Sequence, residues 1–447
     1  MRRIFLFISG CLIAARSFLL SFSLIVIVSC SIQQKISKSA DTILSTAELR
    51  TAHTGISIFE PATGKFWFNY QDDKFFIPAS NTKIPTCYAA MKYLDDSLIG
   101  IHFEETKDSL RVFPVGDPTF LHPDFKPQPV FDFLKNNSKK IFINISQWND
   151  NGWGSGWSWN DYSQSYMAER SIMPMYGNVV RFSSQLKSLK VIPEFFAGSV
   201  SRDSTRDENL FPTSVYRELG TNIFRINGES DKENIIETPF NTEDGGIIFK
   251  LLPDTLKKEV FQSTVLEAKN IKRSIIHSQP TDSLLKITMH RSDNFFAEQL
   301  LLMVANEKLG IMNSSEIIET ILKTDFKDLP QKPRWADGSG LSRYNLFTPR
   351  DFISILNMMK NEFGMERLKV ILPTGGAGTI SSYYQADSNY IFAKTGTLSG
   401  VVALSGYLYT RKNKLLIFSV LVNNHQASAT AIRKAVERFL QGIRNQY

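Results

Sequence analysis

Apolar and polar residues alternate at period two in two short runs near the start of the chain, Thr54–Phe59 and Lys65–Tyr70. The segment between them, Glu60-Pro61-Ala62-Thr63-Gly64, is turn chemistry, so the pattern predicts a β-hairpin. The period then lengthens. Ile84, Cys87 or Tyr88, Met91 and Leu94 recur at helical spacing and predict a helix over 80–94. Near the other end, Tyr390–Ala393, Val401–Tyr409 and Leu415–Val422 read as three successive strands, with turns at Thr397–Gly400 and Arg411–Lys414. Ile432, Ala435, Val436, Phe439, Leu440 and Ile443 then share one face of a closing helix. Between residues 96 and 255 the texture changes to Asn, Ser, Trp and Phe with short strand-like runs such as Lys140–Ile145, and over 260–330 it turns helical, as in Leu300–Asn306 and Ser315–Leu322.

These elements predict an α+β fold of the α/β-sandwich type. One antiparallel sheet is assembled from both chain ends and covered by helices from the middle. The expected division is a tether over 30–50, a main domain from 51–95 plus 256–447, and an inserted mixed, strand-rich domain over 96–255. The chain shows no internal repeat. Its 447 residues, 43% apolar and 21% charged, are ordinary globular composition and allow two or three domains. Three cysteines (Cys11, Cys30 and Cys87) exclude a disulfide scaffold and an all-cysteine zinc site. The net charge of +7 is spread without a basic run, which argues against a nucleic-acid arm.

The first thirty residues change that charge. Arg2, Arg3 and Arg16 precede or border a twelve-residue, nearly unbroken apolar run, Ser17–Val28, with no acidic residue. A membrane span needs about 20 apolar residues, so the run fits the apolar core of an export signal over 1–29 better. Ile27-Val28-Ser29-Cys30 resembles the lipobox of bacterial lipoproteins, which implies lipidation of Cys30 and a membrane anchor. Ile8-Ser9-Gly10-Cys11 is a weaker match. Removing the segment lowers the charge to +4, because it takes three Arg and no acid. Ser31 after Cys30 leans towards the outer membrane.

Three motifs carry candidate chemistry. In Pro78-Ala79-Ser80-Asn81-Thr82-Lys83, a lysine lies one helical turn after a serine. A hydroxyl becomes nucleophilic when a base takes its proton, and a desolvated lysine can serve as that base. Ser292-Asp293-Asn294 precedes an apolar helix; taken alone it is helix-cap chemistry. Lys394-Thr395-Gly396-Thr397 ends an apolar strand and is the only Lys-Thr-Gly in the chain. It combines a cation, two hydroxyls and a glycine that admits close approach. Ser-x-x-Lys by itself is weak: decoys stand at Ser184/Lys187 and Ser283/Lys286, and Ser-x-Asn recurs at Ser158-Trp159-Asn160. The order of the three is informative, because it is that of penicillin-binding proteins and serine β-lactamases.

Further segments narrow the resemblance. Gly116-Asp117-Pro118-Thr119, the tryptophan-rich Gly156–Asp161, Ser292–Glu298, Asp337-Gly338-Ser339-Gly340-Leu341-Ser342-Arg343 and Gly375–Thr379 resemble the D-alanyl-D-alanine carboxypeptidase/endopeptidase family typified by penicillin-binding protein 4. The resemblance spans roughly 50–425. It implies a β-lactamase/transpeptidase-like fold and a penicillin-sensitive serine hydrolase of peptidoglycan stem peptides, with no cofactor and no metal. It also implies catalytic roles for Ser80, Lys83, Ser292, Asn294 and Lys394, and substrate binding by Thr395, Gly396 and Thr397. By that resemblance Ser80 would attack, Lys83 would be the base, Ser292 would relay a proton, Asn294 would hydrogen-bond the substrate backbone or orient Lys83, and Lys394 with the two threonines would hold a carboxylate. The resemblance also implies an oxyanion hole formed by the backbone N–H groups of Ser80 and Thr397.

Two departures stand out. Ile380-Ser381-Ser382-Tyr383 lacks an arginine usual in that segment, and Pro85, two residues after Lys83, is expected to kink the nucleophile helix. A β-lactamase and a catalytically silent cell-wall-binding lipoprotein remain as rival readings. The six histidines form no HExxH pattern, and no Gly-x-Ser-x-Gly elbow occurs. Trp153, Trp157, Trp159 and Tyr162 read more simply as a small core than as a glycan-stacking surface, and Cys87 as a packing residue.

Overall fold

In the computed structural model, which describes Gln34 and residues 36–185, 188–201, 211–230, 234–263 and 273–447, the alternating runs pair as expected. His53–Glu60 (β1) and Lys65–Tyr70 (β2) form the hairpin. Ile391–Leu398 (β3), Val401–Tyr409 (β4) and Leu415–Asn423 (β5) form the meander. The two sets join into one five-stranded sheet of order β3-β4-β5-β1-β2, antiparallel throughout. The join is β1 on β5, with His53 opposite Asn423 and Phe59 opposite Ile417.

The end strands read as apolar runs because both faces of the sheet are covered. In β5, Ile417 and Leu421 enter one core, while Leu416, Phe418, Val420 and Val422 enter another. The first core is closed by helices Lys83–Tyr93 (α1), Thr281–Arg291 (α2), Asn294–Leu309 (α3) and Pro349–Ile371 (α4). The second is closed by Ala429–Gln446 (α5) and by the helical residues 36–44, whose Ile36, Ala40 and Ile43 are buried. The expected tether over 30–50 is therefore docked from Ile36 onward. The export segment 1–29 and Cys30 lie outside the described residues.

Two local expectations change. α1 is not one-sided: Ile84 through Met91 are all buried, as befits a helix surrounded by other elements. Pro85 does not kink it. Ala79–Thr82 forms a separate 3₁₀ turn and α1 begins at Lys83, so Pro85 stands in the first turn, where a backbone N–H has no intrahelical partner to lose.

The middle of the chain builds its own core and three sheets. Its five-stranded mixed sheet runs in the order Val260–Gln262, Lys140–Ile143, Ser109–Pro114, Ser97–Glu105, Ser274–Pro280. Strand pairing thus continues past the expected boundary at 255, and the first helix among the described residues after 260 is Thr281–Arg291. The pairing of Ser274–Pro280 with Ser97–Glu105 overrides the local pattern there. Among the described residues no helix is long and apolar enough to cross a membrane.

Candidate active site

The turn that carries Ser80 is wedged between two other segments. A Cβ on Gly340 would lie 1.9 Å from the Ala79 carbonyl oxygen, and one on Gly396 would lie 2.6 Å from that of Pro78. Only glycine lets both backbones come this close. Asn81 ties the same turn to the sheet: with its amide turned to satisfy both ends, Oδ1 accepts from Ser405 Oγ at 2.7 Å and Nδ2 donates to the Lys394 carbonyl at 2.8 Å. Ala79 (φ 48°) and Ser292 (φ 58°) both adopt the left-handed conformation, at roughly 1–2 kcal/mol each for a residue with a side chain. Such outliers persist where surrounding packing holds them, and here they lie in the first and second motifs.

The predicted residues converge. Lys83 Nζ lies 3.0 Å from Ser80 Oγ, 2.6 Å from Asn294 Oδ1 and 2.7 Å from the Ser339 carbonyl. Lys394 Nζ donates to Ser292 Oγ and to its neighbour's carbonyl, Thr395 O, each at 2.8 Å. Both lysines are fully buried. Burial lowers the Lys83 pKa to about 8, against the opposing pull of Asp293, Asp337 and Glu298. Burial, then the nearby charge of Lys83, pushes Lys394 well below the usual lysine range. Asp293 caps α3 by accepting from the Phe296 N–H at 2.9 Å, so the second motif is a helix cap and a site element at once. Thr395 and Thr397 lie on the sheet face towards α5, alternating with Lys394 and Gly396 on the helix-covered face.

Residues that spacing could not assign complete the frame. Asp337, fully buried, accepts from Gly340 N, Ser342 N, Asn345 Nδ2 and Trp157 Nε1 at 2.6–2.9 Å. Four donors offset the cost of burying that carboxylate. The loop it organises presents the Ser339 carbonyl to Lys83. Glu298 accepts from the Ser339 N–H at 2.8 Å, and burial beside Asp337 raises its pKa to about 7. Arg170, from the inserted segment, reaches Asp150 at 3.0 Å, lies 3.6 Å from Glu298 and sits over the Trp157 ring. The Asn294 amide donates to the Tyr166 carbonyl at 2.9 Å. Trp157, Tyr166 and Arg170 therefore hold one wall of the cleft. Trp157 is part of that wall; Trp159 is exposed.

Ser80, Trp157, Tyr166, Asn294, Arg343 and Thr397 line a cleft of about 700 Å³. Among the described residues no cluster of His, Cys, Asp and Glu is placed to hold a metal ion. The decoy Ser283/Lys286 lies on α2, away from this cleft's lining; Lys187 of the other decoy is outside the described residues.

Residues 36–443 match the model of the D-Ala-D-Ala carboxypeptidase 3 (S13) family. The chain is 24% identical to penicillin-sensitive carboxypeptidase A of Dictyostelium discoideum, over 86% of this chain and 85% of that protein. It is likewise 24% identical to the D-alanyl-D-alanine carboxypeptidase DacB of Haemophilus influenzae, over 85% of this chain and 87% of that protein. The crystal structure of penicillin binding protein 4 (dacB) from Haemophilus influenzae superposes with a TM-score of 0.70 at 21% identity, covering 92% of this chain and 98% of that one. That likeness carries the fold.

Proposed function

The chain belongs to the D-Ala-D-Ala carboxypeptidase 3 (S13) family, and we propose that it is a serine-type D-Ala-D-Ala carboxypeptidase that trims peptidoglycan stem peptides through an acyl-enzyme on Ser80. One observation carries the mechanism. A neutral lysine amine has two N–H groups and one lone pair. Asn294 Oδ1 and the Ser339 carbonyl are both acceptors and take the two N–H groups of Lys83, so its lone pair faces Ser80 Oγ, 3.0 Å away. Lys83 is thereby a base aimed at the hydroxyl.

Ser80 Oγ attacks the carbonyl of the terminal D-Ala-D-Ala bond as its proton passes to Lys83. The oxyanion faces the N–H groups of Ser80 and Thr397; Gly396 brings β3 alongside the Ser80 nitrogen, which supports that placement. Losing one such donor typically costs ~10²–10³ in rate. The C–N bond breaks, and Ser292, held by Lys394, hands its proton to the departing D-Ala amine and is reprotonated from Lys83. Water, deprotonated by Lys83, then cleaves the ester and frees Ser80. A β-lactam presents the same acyl bond in a ring, and the name of the Dictyostelium relative, penicillin-sensitive, supports sensitivity here. The complete set of contacts around Lys83 and Lys394 weighs against a silent scaffold.

Labelled penicillin is expected to attach to the protein and not to Ser80→Ala, and D-Ala release from a pentapeptide is expected to fall at least a thousandfold in that variant. Ser80-independent labelling, or sustained turnover of the β-lactam, would overturn this reading. We also propose a catalytic unit from both chain ends with an inserted unit between them. A further part of the reading is export, with a lipid anchor on Cys30 at the periplasmic face of a bacterial membrane, the outer one by preference. Palmitate incorporation lost in Cys30→Ser tests the anchor; unlabelled parent protein would remove it.

A further inference from the structure

We infer that Arg433, on α5, supplies the fixed positive charge that receives the substrate's terminal carboxylate. The inference rests on the carboxypeptidase reading above and adds a specificity-determining residue to it.

Lys394 is already committed to partners inside the protein. It is buried, and its ammonium group is engaged with Ser292 Oγ and the Thr395 carbonyl. It serves the proton-carrying hydroxyl rather than the open cleft. Burial also works against its charge. A carboxylate arriving at the Thr397 side of the cleft needs a cation that stays charged, and a guanidinium does so at any physiological pH.

Arg433 stands at that place. Its Nη2 donates to Thr397 Oγ1 at 2.5 Å. Thr397 lines the cleft with Ser80. A threonine hydroxyl that accepts from Arg433 turns its own hydrogen outward, so the pair offers O–H and N–H donors side by side to an anion. Thr397 is the only partner of Arg433 among the described residues, and no carboxylate neutralises it. Its position is fixed by its helix: the neighbours Ile432, Ala435 and Val436 are buried in the second core. The side chain also borders a small hollow with Ile380, Tyr383, Tyr384 and Thr395. The segment 380–384 contributes no basic residue there.

Arg433 reaches the cleft through Thr397, whereas Arg343 lines the cleft itself and donates to the Ser399 carbonyl at 3.1 Å. Arg343 serves as the control. The experiment compares Ser80 acylation rates for benzylpenicillin and for its methyl ester in the unaltered protein, Arg433→Ala, Arg433→Lys and Arg343→Ala. A hydrogen bond to a charged group predicts a loss of roughly ten- to a hundredfold for the free acid in Arg433→Ala, with the ester rate unchanged. Arg433→Lys keeps the charge and is expected to recover part of the acid preference. Arg343→Ala is expected to retain it. An acid preference kept in Arg433→Ala, an equal fall for acid and ester, or a preference lost only in Arg343→Ala overturns the inference while the carboxypeptidase reading stands. Absence of Ser80 labelling in the unaltered protein removes that reading, and this inference with it.

Discussion

Lys83 must be charged to donate to all three of its neighbours and neutral to take a proton from Ser80. Its surroundings hold it between these states. Burial favours the neutral amine, while Asp293, Asp337 and Glu298 favour the cation, and the balance lies at about 8. In the proposed mechanism the neutral form is the active one, so acylation is expected to quicken as pH rises through about 8 and to level off above it. Asp293→Asn keeps an α3 cap but removes the first-named anion that raises the Lys83 pKa. The rise is then expected at lower pH, with acylation at pH 7 faster by a small factor. Penicillin acylation followed from pH 6 to 10 checks both, and a flat profile in the unaltered protein would contradict Lys83 as the base. The convergence of Ser80, Lys83, Asn294 and Lys394 was legible because the motifs that carry them are written in short spacings. The Ser339 carbonyl was not: any residue has one, and only the fold of the loop aims it at Lys83.

The loop 337–343 is the element that joins the reacting groups to the inserted segment. Trp157 Nε1 supplies one of four donors to the buried Asp337 carboxylate. Trp157→Phe keeps most of the ring's bulk and deletes that donor. Stability is expected to fall by about 1–3 kcal/mol, and acylation to slow as well, because the same loop presents Ser339 to Lys83. Thermal unfolding and acylation rates of the variant check this; a loss of stability without slower acylation would separate the insertion from the chemistry. At this scale the hairpin, the meander and α5 were legible, since their periodicity repeats over whole elements. Ser274–Pro280 was not. It is a strand because Ser97–Glu105 lies beside it, not because of its own alternation. Pro85 was misplaced for a related reason: composition shows a proline but not at which turn a helix begins.

Among the described residues the five-stranded antiparallel sheet lies between two large cores, and the middle of the chain builds another of its own. Cys87 lies in the first core as a free thiol, and burial raises its pKa to about 12. In the folded protein it is expected to resist thiol reagents over hours, and to react at once in denaturant. Rapid modification of the native state would mean that α1 opens readily, and with it the site. The same layout sets an order of assembly. β1 finds its partner in β5, with His53 and Asn423 about 370 residues apart in sequence. At ~5–20 residues per second of synthesis, roughly 20–70 s separate the emergence of the two strands from a ribosome. Through that interval the first hairpin has no sheet to join, so the nascent chain remains threadable, and the hydrolase stays inert until its last strand has been delivered.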